Sequence, residues 1–453
     1  MLSKKTFRYY YWLVVEFIKK HLKLILISFL LSFFMIITLI SLSPYLETLF
    51  SSKHQTIGLI GEYKYDNLPD EIISKISNGL VVINEKGKIV PAVASTFEIK
   101  DKGLRYRFHL KDNLFWDDGK KFTASDINYQ FMDVLTKVID DKTVDFVLKK
   151  ELAIFPTYLK RPIVKYPLIG IAGSYKVDRI KTQYEKISEL VLSPNKKDQP
   201  TLTYKFYSNE SDLISGYKHG EINQFQTSKK NIADVFSTWK NTTIAKSTDY
   251  SKLLTLFFNF NNPALKIKEV RQAIIMTLDP GKLKEFGELA VGPVPPISWA
   301  YDPNLKTEPY DPAAAEKIIK KSGIASEEAM LKFSTYYDYL SAADLVSESI
   351  KKTGLNVNVK VLSYERGNDF DLLLALWNLP LDPDQYYFWH STQTQGNISN
   401  YKNVKIDRLL ELGREAISVD DRKSIYFEYQ KVIQDDPPAA FLYFPYVYTI
   451  SRK

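Results

Sequence analysis

Between Leu24 and Leu46 no residue carries a charge, a run of about 23 positions that at helical rise is long enough to cross a bilayer. The run is too long for the apolar part of a cleaved signal sequence, and Ser41-Leu42-Ser43 is followed by Pro44, a poor position for cleavage. Its length also argues against a buried core helix. Lys4, Lys5, Arg8, Lys19, Lys20 and Lys23 gather on its N-terminal side against Glu16, whereas Glu47 follows it. The positive-inside rule then puts residues 1–23 in the cytoplasm and the chain beyond about residue 50 outside. The expectation is an uncleaved, single-pass anchor over 24–46, with the aromatics and cations between Arg8 and Lys20 lying on the inner membrane surface.

This placement also accounts for the charge. The 453-residue chain carries a net +8, which would ordinarily suggest nucleic acid or an anionic surface as partner. About +5 of it lies before residue 24, so the remainder is nearly balanced and no nucleic-acid partner is expected. The chain has no cysteine, which excludes disulfides, thiolate metal sites, a cysteine nucleophile and a lipidated cysteine. Its length suits two or three domains.

The stretch 254–279 organises the main body. Leu-Thr-Leu-Phe-Phe-Asn-Phe reads as a buried strand, Asn261-Asn262-Pro263 breaks it, and Val270, Ile274 and Leu278 then mark one face of a helix that stops at Asp279-Pro280. Before it, Thr56 to Gly61 reads as a first strand, followed by the loop 62–69 and a helix at 70–77. Asn84-Glu85-Lys86-Gly87 reads as a hairpin turn with Gly87 where positive φ is needed. Tyr106, Phe108 and Leu110 alternate with Arg105, Arg107 and His109 as in a half-buried strand. In 115–126, a Gly119 turn leads to Thr123 as a cap with Asp126 three residues on, so Asp117 and Asp118 read as turn and cap residues rather than catalytic acids. The two glycines in 170–177 lack the Lys-Ser/Thr ending of a phosphate-binding loop. Further on, Asp311 caps a helix with Pro312 in its first turn and Gly323 at its end. A second helix closes at Gly354, and Leu355, Val357, Val359 and Val361 alternate as a strand, the pattern of an α/β lobe with parallel strands. The apolar run 370–377 suits a strand buried on both faces, and its C-terminal end is where an open α/β sheet presents ligand-binding groups.

Several of these stretches, in order, resemble the family-5 extracellular solute-binding proteins, the peptide- and nickel-binding components of ABC importers. The residues are the Asn-ended strand with Lys266-Ile267-Lys268-Glu269-Val270-Arg271-Gln272-Ala273; Trp116 to Asp126 with Asp-Gly-Lys and Phe-Thr-Ala inside it; and Gly170 to Val177, with Ser174 for the family's proline. Gly220-Glu221-Ile222-Asn223, Trp377 with Asp382-Pro383-Asp384, Asn397 to Tyr401, and Pro437 to Tyr443 continue the likeness, which covers nearly everything from residue 57. It implies an α/β, two-lobed periplasmic-binding-protein-like fold of type II with the ligand cleft between the lobes. Lobe I would take 56–255, with a shortened inserted subdomain at about 133–165, lobe II 256–436, and 437–453 would return toward lobe I. Family members usually continue beyond the point matching Lys453, so lobe I is expected to be trimmed or completed differently.

The resemblance implies a membrane-anchored, extracytoplasmic receptor that delivers a ligand, by default short peptides, to ABC permease subunits. Such a role needs a closing cleft with aromatic walls and a few polar groups. The candidates are Tyr63, Tyr65, Asn259, Trp377, Asn378, Asp382 and Tyr386. In peptide-binding members an aspartate shortly after the tryptophan pairs with the ligand's amino terminus. Here Asn378, Leu379 and Pro380 stand nearest, and Asp382 supplies the charge only if the loop is shifted; turn chemistry around Pro383 is the competing reading. No catalytic residue, metal or cofactor is expected: hydrolase, P-loop and zinc-protease patterns are missing, and the five histidines are scattered. Two alternatives stay open, a surface or assembly protein that keeps the fold without import and, behind it, a carboxylate-dependent hydrolase.

Overall fold

The structure is a computed structural model that describes residues 4–50, 54–84, 87–196, 198–324, 330–363 and 369–453; the turn residues Glu85 and Lys86 fall outside it, as do the side chains of residues 4–7, 39 and 42–50. Lys4–Phe50 is one helix. Its apolar part, Arg8–Thr38, is long enough to cross a membrane and none of it is buried against the rest of the chain.

Lobe I starts with β1 (His54–Ile60) and the helix Asp70–Ile76. A hairpin of β2 (Val81–Ile83) and β3 (Ile89–Pro91) follows, with Gly87 at φ 71° as its turn requires. Next comes a separate antiparallel sheet of β4 (Ala94–Lys100), β5 (Arg105–Leu110), β6 (Val134–Asp140) and β7 (Thr143–Leu148), in the order β4-β5-β7-β6. Tyr106, Phe108, Phe146, Phe155 and Trp116 fill its core, so the alternation in β5 has the face expected of it. This sheet extends beyond the bounds expected for the inserted subdomain, 133–165, which hold β6, β7 and the turn of helix Phe155–Tyr158. Its hallmark motif is structural. Trp116 lies edge-on to Phe122, and the backbone N–H of Thr123 donates to Asp126 Oδ2 at 2.8 Å, opening a short 3-10 turn.

The chain then re-enters the main sheet through β8 (Tyr175–Gln183), β9 (Lys186–Pro194), β10 (Thr201–Tyr207), β11 (Gln224–Thr227) and β12 (Thr242–Thr248). β1 lies parallel to both β10 and β11, and β9 and β8 extend the sheet antiparallel. Gly170 and Gly173 serve close backbone approach: a Cβ on either would come within 2.1 or 2.0 Å of the Ile76 carbonyl oxygen.

Lobe II is built on β13 (Lys252–Phe258), with β14 (Gly287–Leu289), β15 (Met330–Tyr336), β16 (Asn356–Leu362), β17 (Leu372–Asn378) and β18 (Ala439–Arg452). The strand order is β16-β15-β17-β13-β18. β13 is buried on both faces, as its Leu- and Phe-rich sequence requires. Leu254, Leu256 and Phe258 pack with Val270, Ile274, Ile319, Val346 and Ile350. Leu253 and Phe257 pack on the other side with Trp377, Leu410, Tyr426 and Tyr429. The result is a helix–sheet–helix layer structure. Parallel pairing is confined to β15 with β16 and β17; β13 pairs antiparallel with both β17 and β18, because β13 leads out of lobe I and β18 leads back into it.

β18 is shared. Its first half pairs with β13 and β14, and its second half pairs with β11 and β12 of lobe I. Arg271, 1% exposed, fixes its entry. Its guanidinium donates to the carbonyls of Pro437 (2.9 Å), Leu265 (2.8 Å) and Lys266 (3.0 Å) and pairs with Asp436. Replacing Arg271 by Met should cost about 3 kcal/mol in urea unfolding, since three carbonyls lose a donor and Asp436, still bonded by Tyr401 and Asn403, loses its counter-charge. Arg271→Lys should recover little of it, because one ammonium cannot reproduce the planar fork.

Candidate functional site

In an open α/β sheet, ligand-binding groups collect beyond the C-terminal ends of the strands. β1, β10 and β11 are parallel, so all three end at one edge of lobe I, and two cavities open along that edge. The larger, about 900 Å³, belongs to lobe I alone. Tyr65, Asp66 and Leu68 line it from the loop after β1, and Tyr129, Arg161 and Lys165 line it from the inserted unit.

The second cavity, about 510 Å³, is bordered by both lobes. Residues 228–231, just after β11, contribute from lobe I; Glu285, Phe286 and residues 337–342, just after β15, contribute from lobe II. Leu254 of β13 and Leu376 of β17 form its floor, and Tyr443, Pro445 and Tyr448 of β18 complete it at the crossing. The crossing is tied by hydrogen bonds as well. Tyr250 Oη and Thr248 Oγ1 donate to Glu288 Oε2 at 2.7 and 3.3 Å, and that carboxylate pushes the Tyr250 hydroxyl up to about 12.

Lobe I supplies cations to this cavity. Lys229 donates to Glu210 Oε2 at 2.8 Å, and this bond, helped by Asp338 across the cavity, holds the ammonium above its ordinary value. Lys230 is raised by its bond to Asp234 at 2.7 Å. Lobe II supplies Glu285 and Asp338. Burial raises the hydroxyls of Tyr339, Tyr443 and Tyr448, so they are neutral phenols at pH 7. Such a cavity, with aromatic walls, a buried floor and charges of both signs, is suited to hold a small polar solute.

The seven residues singled out from sequence do not converge. Tyr65 lines the larger cavity, its ring against Tyr166 at 5.3 Å. Tyr63 folds back, Oη donating to Ile60 O at 3.0 Å and ring edge-on to Phe206, over a Gly61 whose φ of 141° and crowding by that ring admit no side chain. Asn259 lies at the far end of β13 from the crossing, roughly 20 Å away at strand rise, where it bonds Phe370 O at 2.6 Å. Trp377 is 5% exposed among Phe388, Trp389 and Phe441. Leu376 and Asn378 share the opposite face of β17, so Asn378 stands on the cavity side of the sheet at the exposed strand end.

Asp382 and Asp384 are tied up in the protein. Arg422 donates to both oxygens of Asp382 at 2.6 and 3.1 Å, and Arg414 does the same to Asp384 at 2.7 and 3.0 Å. Burial works against the Arg422 charge, but Asp382 outweighs it and holds the guanidinium above its ordinary value. Each carboxylate also accepts a backbone N–H two residues on, the turn chemistry weighed for this loop. Tyr386 is sandwiched between His390, 4.0 Å away, and the Arg414 guanidinium at 3.8 Å. Sequence reading missed Tyr337, Asp338 and Tyr339 because it did not recognise β15. Once that strand is known, an aromatic and acidic cluster at its C-terminal end is the signal.

The family model for bacterial extracellular solute-binding proteins, family 5 Middle, matches residues 88–399, more than half of the chain. The oligopeptide-binding protein AppA of Bacillus subtilis is 26% identical over 86% of this chain and 86% of its own length. Di/tripeptide-binding protein 1 of Pseudomonas aeruginosa is 21% identical over 85% and 86%. Among solved structures, NikZ of Campylobacter jejuni in complex with Ni(L-His) superposes with a TM-score of 0.73 at 22% identity, covering 88% of this chain and 94% of that one. CtaP of Listeria monocytogenes, an ABC transporter substrate-binding protein, gives 0.74 at 23% identity with the same coverage. These likenesses establish the two-lobed binding-protein fold.

The two kinds of residue should separate by mutation. Asp382→Asn leaves the buried Arg422 without its counter-charge and should cost about 3 kcal/mol in urea unfolding. Tyr337→Ala, at a side chain 76% exposed, should stay within about 0.5 kcal/mol of the parent.

Proposed function

The chain belongs to the family-5 bacterial extracellular solute-binding proteins, and on that premise we propose that it is a membrane-anchored, extracytoplasmic receptor that captures short peptides between its lobes and delivers them to an ABC import permease. The observation that carries the reading is the cavity of about 510 Å³ bordered by both lobes and by the strand they share. A ligand there touches groups from each lobe, so binding favours the closed arrangement, and closure is the signal a permease can recognise. The peptide-binding names of AppA and the di/tripeptide-binding protein support peptide as the ligand class. No step of this role calls for a catalytic group.

Tyr337, Tyr339, Lys229 and Tyr448 are the contacts we assign from the cavity lining, with Tyr65 and Asn378 carried forward from the sequence as residues at the same sheet edges. The unburied apolar helix supports an anchor, and the charge-free run with cations on one side supports a cytoplasmic N-terminus. Tethering keeps the receptor beside its permease and raises their effective concentration. We take the division into lobe I (56–255), lobe II (256–436) and a return segment (437–453) for the moving parts, with β13 (Lys252–Phe258) running across the first boundary.

Protein purified natively from its membrane should release short peptides in near-stoichiometric amount on denaturation, read by mass spectrometry. An empty cavity that also gives no thermal shift with di- and tripeptides would sink the peptide assignment. N-terminal sequencing of the membrane-bound protein should return the uncleaved start; a mature end within or just after 24–46 would make that segment a leader instead.

A further inference from the structure

The tether decides which end of lobe I lies near the membrane. With 24–46 as the bilayer span, the helix runs four residues further, to Phe50, and three more residues separate it from His54 at the start of β1. Those two stretches reach at most about 6 Å as helix and roughly 10 Å as extended chain. The headgroup layer takes up about 6 Å of that reach. The start of β1 is therefore held within about 10 Å of the headgroup surface, close to one Debye length at physiological salt.

Cations gather at this same end. His54 pairs with Thr201 of β10, and its carbonyl accepts from Asn223 Nδ2 at 3.3 Å, just before β11. Arg452 N–H donates to Asn223 O at 2.8 Å and Lys453 N–H to Asn241 O at 3.0 Å, so the end of β18 and the start of β12 lie there too. The Arg452 guanidinium donates to the carbonyls of Tyr217 and Lys218, which brings in the last turn of the helix Glu210–His219. Lys218 and Lys240 are thereby set around the start of β1, and residues 195–200, which lead into Thr201, include Lys196 and Lys197. With Arg452 these are five cations against two acids, Asp198 and Glu221. This end alone carries about as much positive charge as the whole chain after residue 24. Lys196, Lys218 and Lys240 are exposed and form no salt bridge among the described residues.

We propose, resting on the reading of 24–46 as an uncleaved anchor, that this end of lobe I lies on the anionic phospholipid headgroups of the membrane the anchor spans. The tether supplies nearness, and the charge decides which face turns to the lipid. Each Lys or Arg held at an anionic lipid surface favours contact by a factor of about five, less as salt rises. β1 runs about 20 Å to its other end, so both cavities along that edge are carried farther from the bilayer. Lobe I rests on the membrane, and lobe II is left to move.

Because the chain has no cysteine, Asn241→Cys at this end and Ser208→Cys just beyond β10 at the opposite end each give one fluorescent label on the full-length protein. Both are reconstituted into vesicles of phosphatidylcholine, or of phosphatidylcholine with an equal amount of phosphatidylglycerol, bearing a headgroup-linked energy acceptor. Transfer from position 241 should exceed that from 208 on the mixed vesicles and fall on phosphatidylcholine alone. Combining Lys196→Gln, Lys218→Gln and Lys240→Gln should lower the ratio of apposed to detached molecules by up to about a hundredfold at low salt, bringing the mixed-vesicle signal down to the phosphatidylcholine one. Transfer from 241 no higher than from 208, or unchanged by lipid and by the triple variant, would overturn the apposition and leave the anchor standing. Protein that does not float with the vesicles in a density gradient would overturn the anchor, and the apposition with it. Binding of inorganic polyphosphate that the triple variant loses, with no lipid dependence of the transfer, would make this a surface for a free polyanion and overturn the membrane assignment.

Discussion

One strand has to serve two sheets, and the rest of the molecule is arranged around that constraint. β18 pairs with β13 and β14 at its start and with β11 and β12 at its end, so the registers of both lobes are set by a single extended segment. The change of partners falls around Pro445, whose missing N–H is tolerated where the ladder is being handed over. The neighbouring backbone compensates: Asp249 N–H donates to Pro445 O at 2.9 Å and Tyr446 N–H to Phe286 O at 3.1 Å. Gly287 is required at the same place, since a Cβ there would sit 2.2 Å from the Phe444 carbonyl oxygen. Lobe motion at this crossing has to come from small changes in a hydrogen-bonded strand rather than from a loose linker.

Three arginines, Arg271 and Arg422 buried and Arg414 partly so, do a different job. Arg271 clamps the entry of β18, while Arg414 and Arg422 pin the loop after β17 through Asp384 and Asp382. Pairs so enclosed contribute little net stability compared with apolar packing, but breaking one is costly, so they fix loop geometry. The inserted unit rests against the same region: Ala153 N–H donates to the Arg414 carbonyl at 2.7 Å, closing one of the open carbonyls at the end of the helix Val404–Glu415. The two lobes are therefore joined at the crossing and touch again at this point.

The cavity between the lobes is lined by segments outside these arginine pairs. The ends of β11 and β15 bring lysines from one lobe to carboxylates and tyrosines from the other. Family membership fixes the class of task, binding a solute outside the cell membrane.

The sequence by itself determined whatever rests on neighbours along the chain. The charge-free run became part of one helix, unburied over Arg8–Thr38, the two-sided apolar stretch became the central strand β13, and Asp311, Pro312 and Gly323 bound a helix as their backbone preferences dictate. These depend on periodicity and on caps a few residues away, which a one-dimensional string contains. Only the tertiary structure decided which groups line the cavities. Alternation says that Trp377 and Asn378 face opposite ways, but not which of them faces the cavity; Leu376 on its floor answers that. Nothing near Asp382 in the chain announces that Arg422 will hold it, and nothing near Lys229 announces Asp338 across the cavity. A carboxylate's freedom to bind a ligand depends on its partners in space, and those are assigned only when distant segments pack.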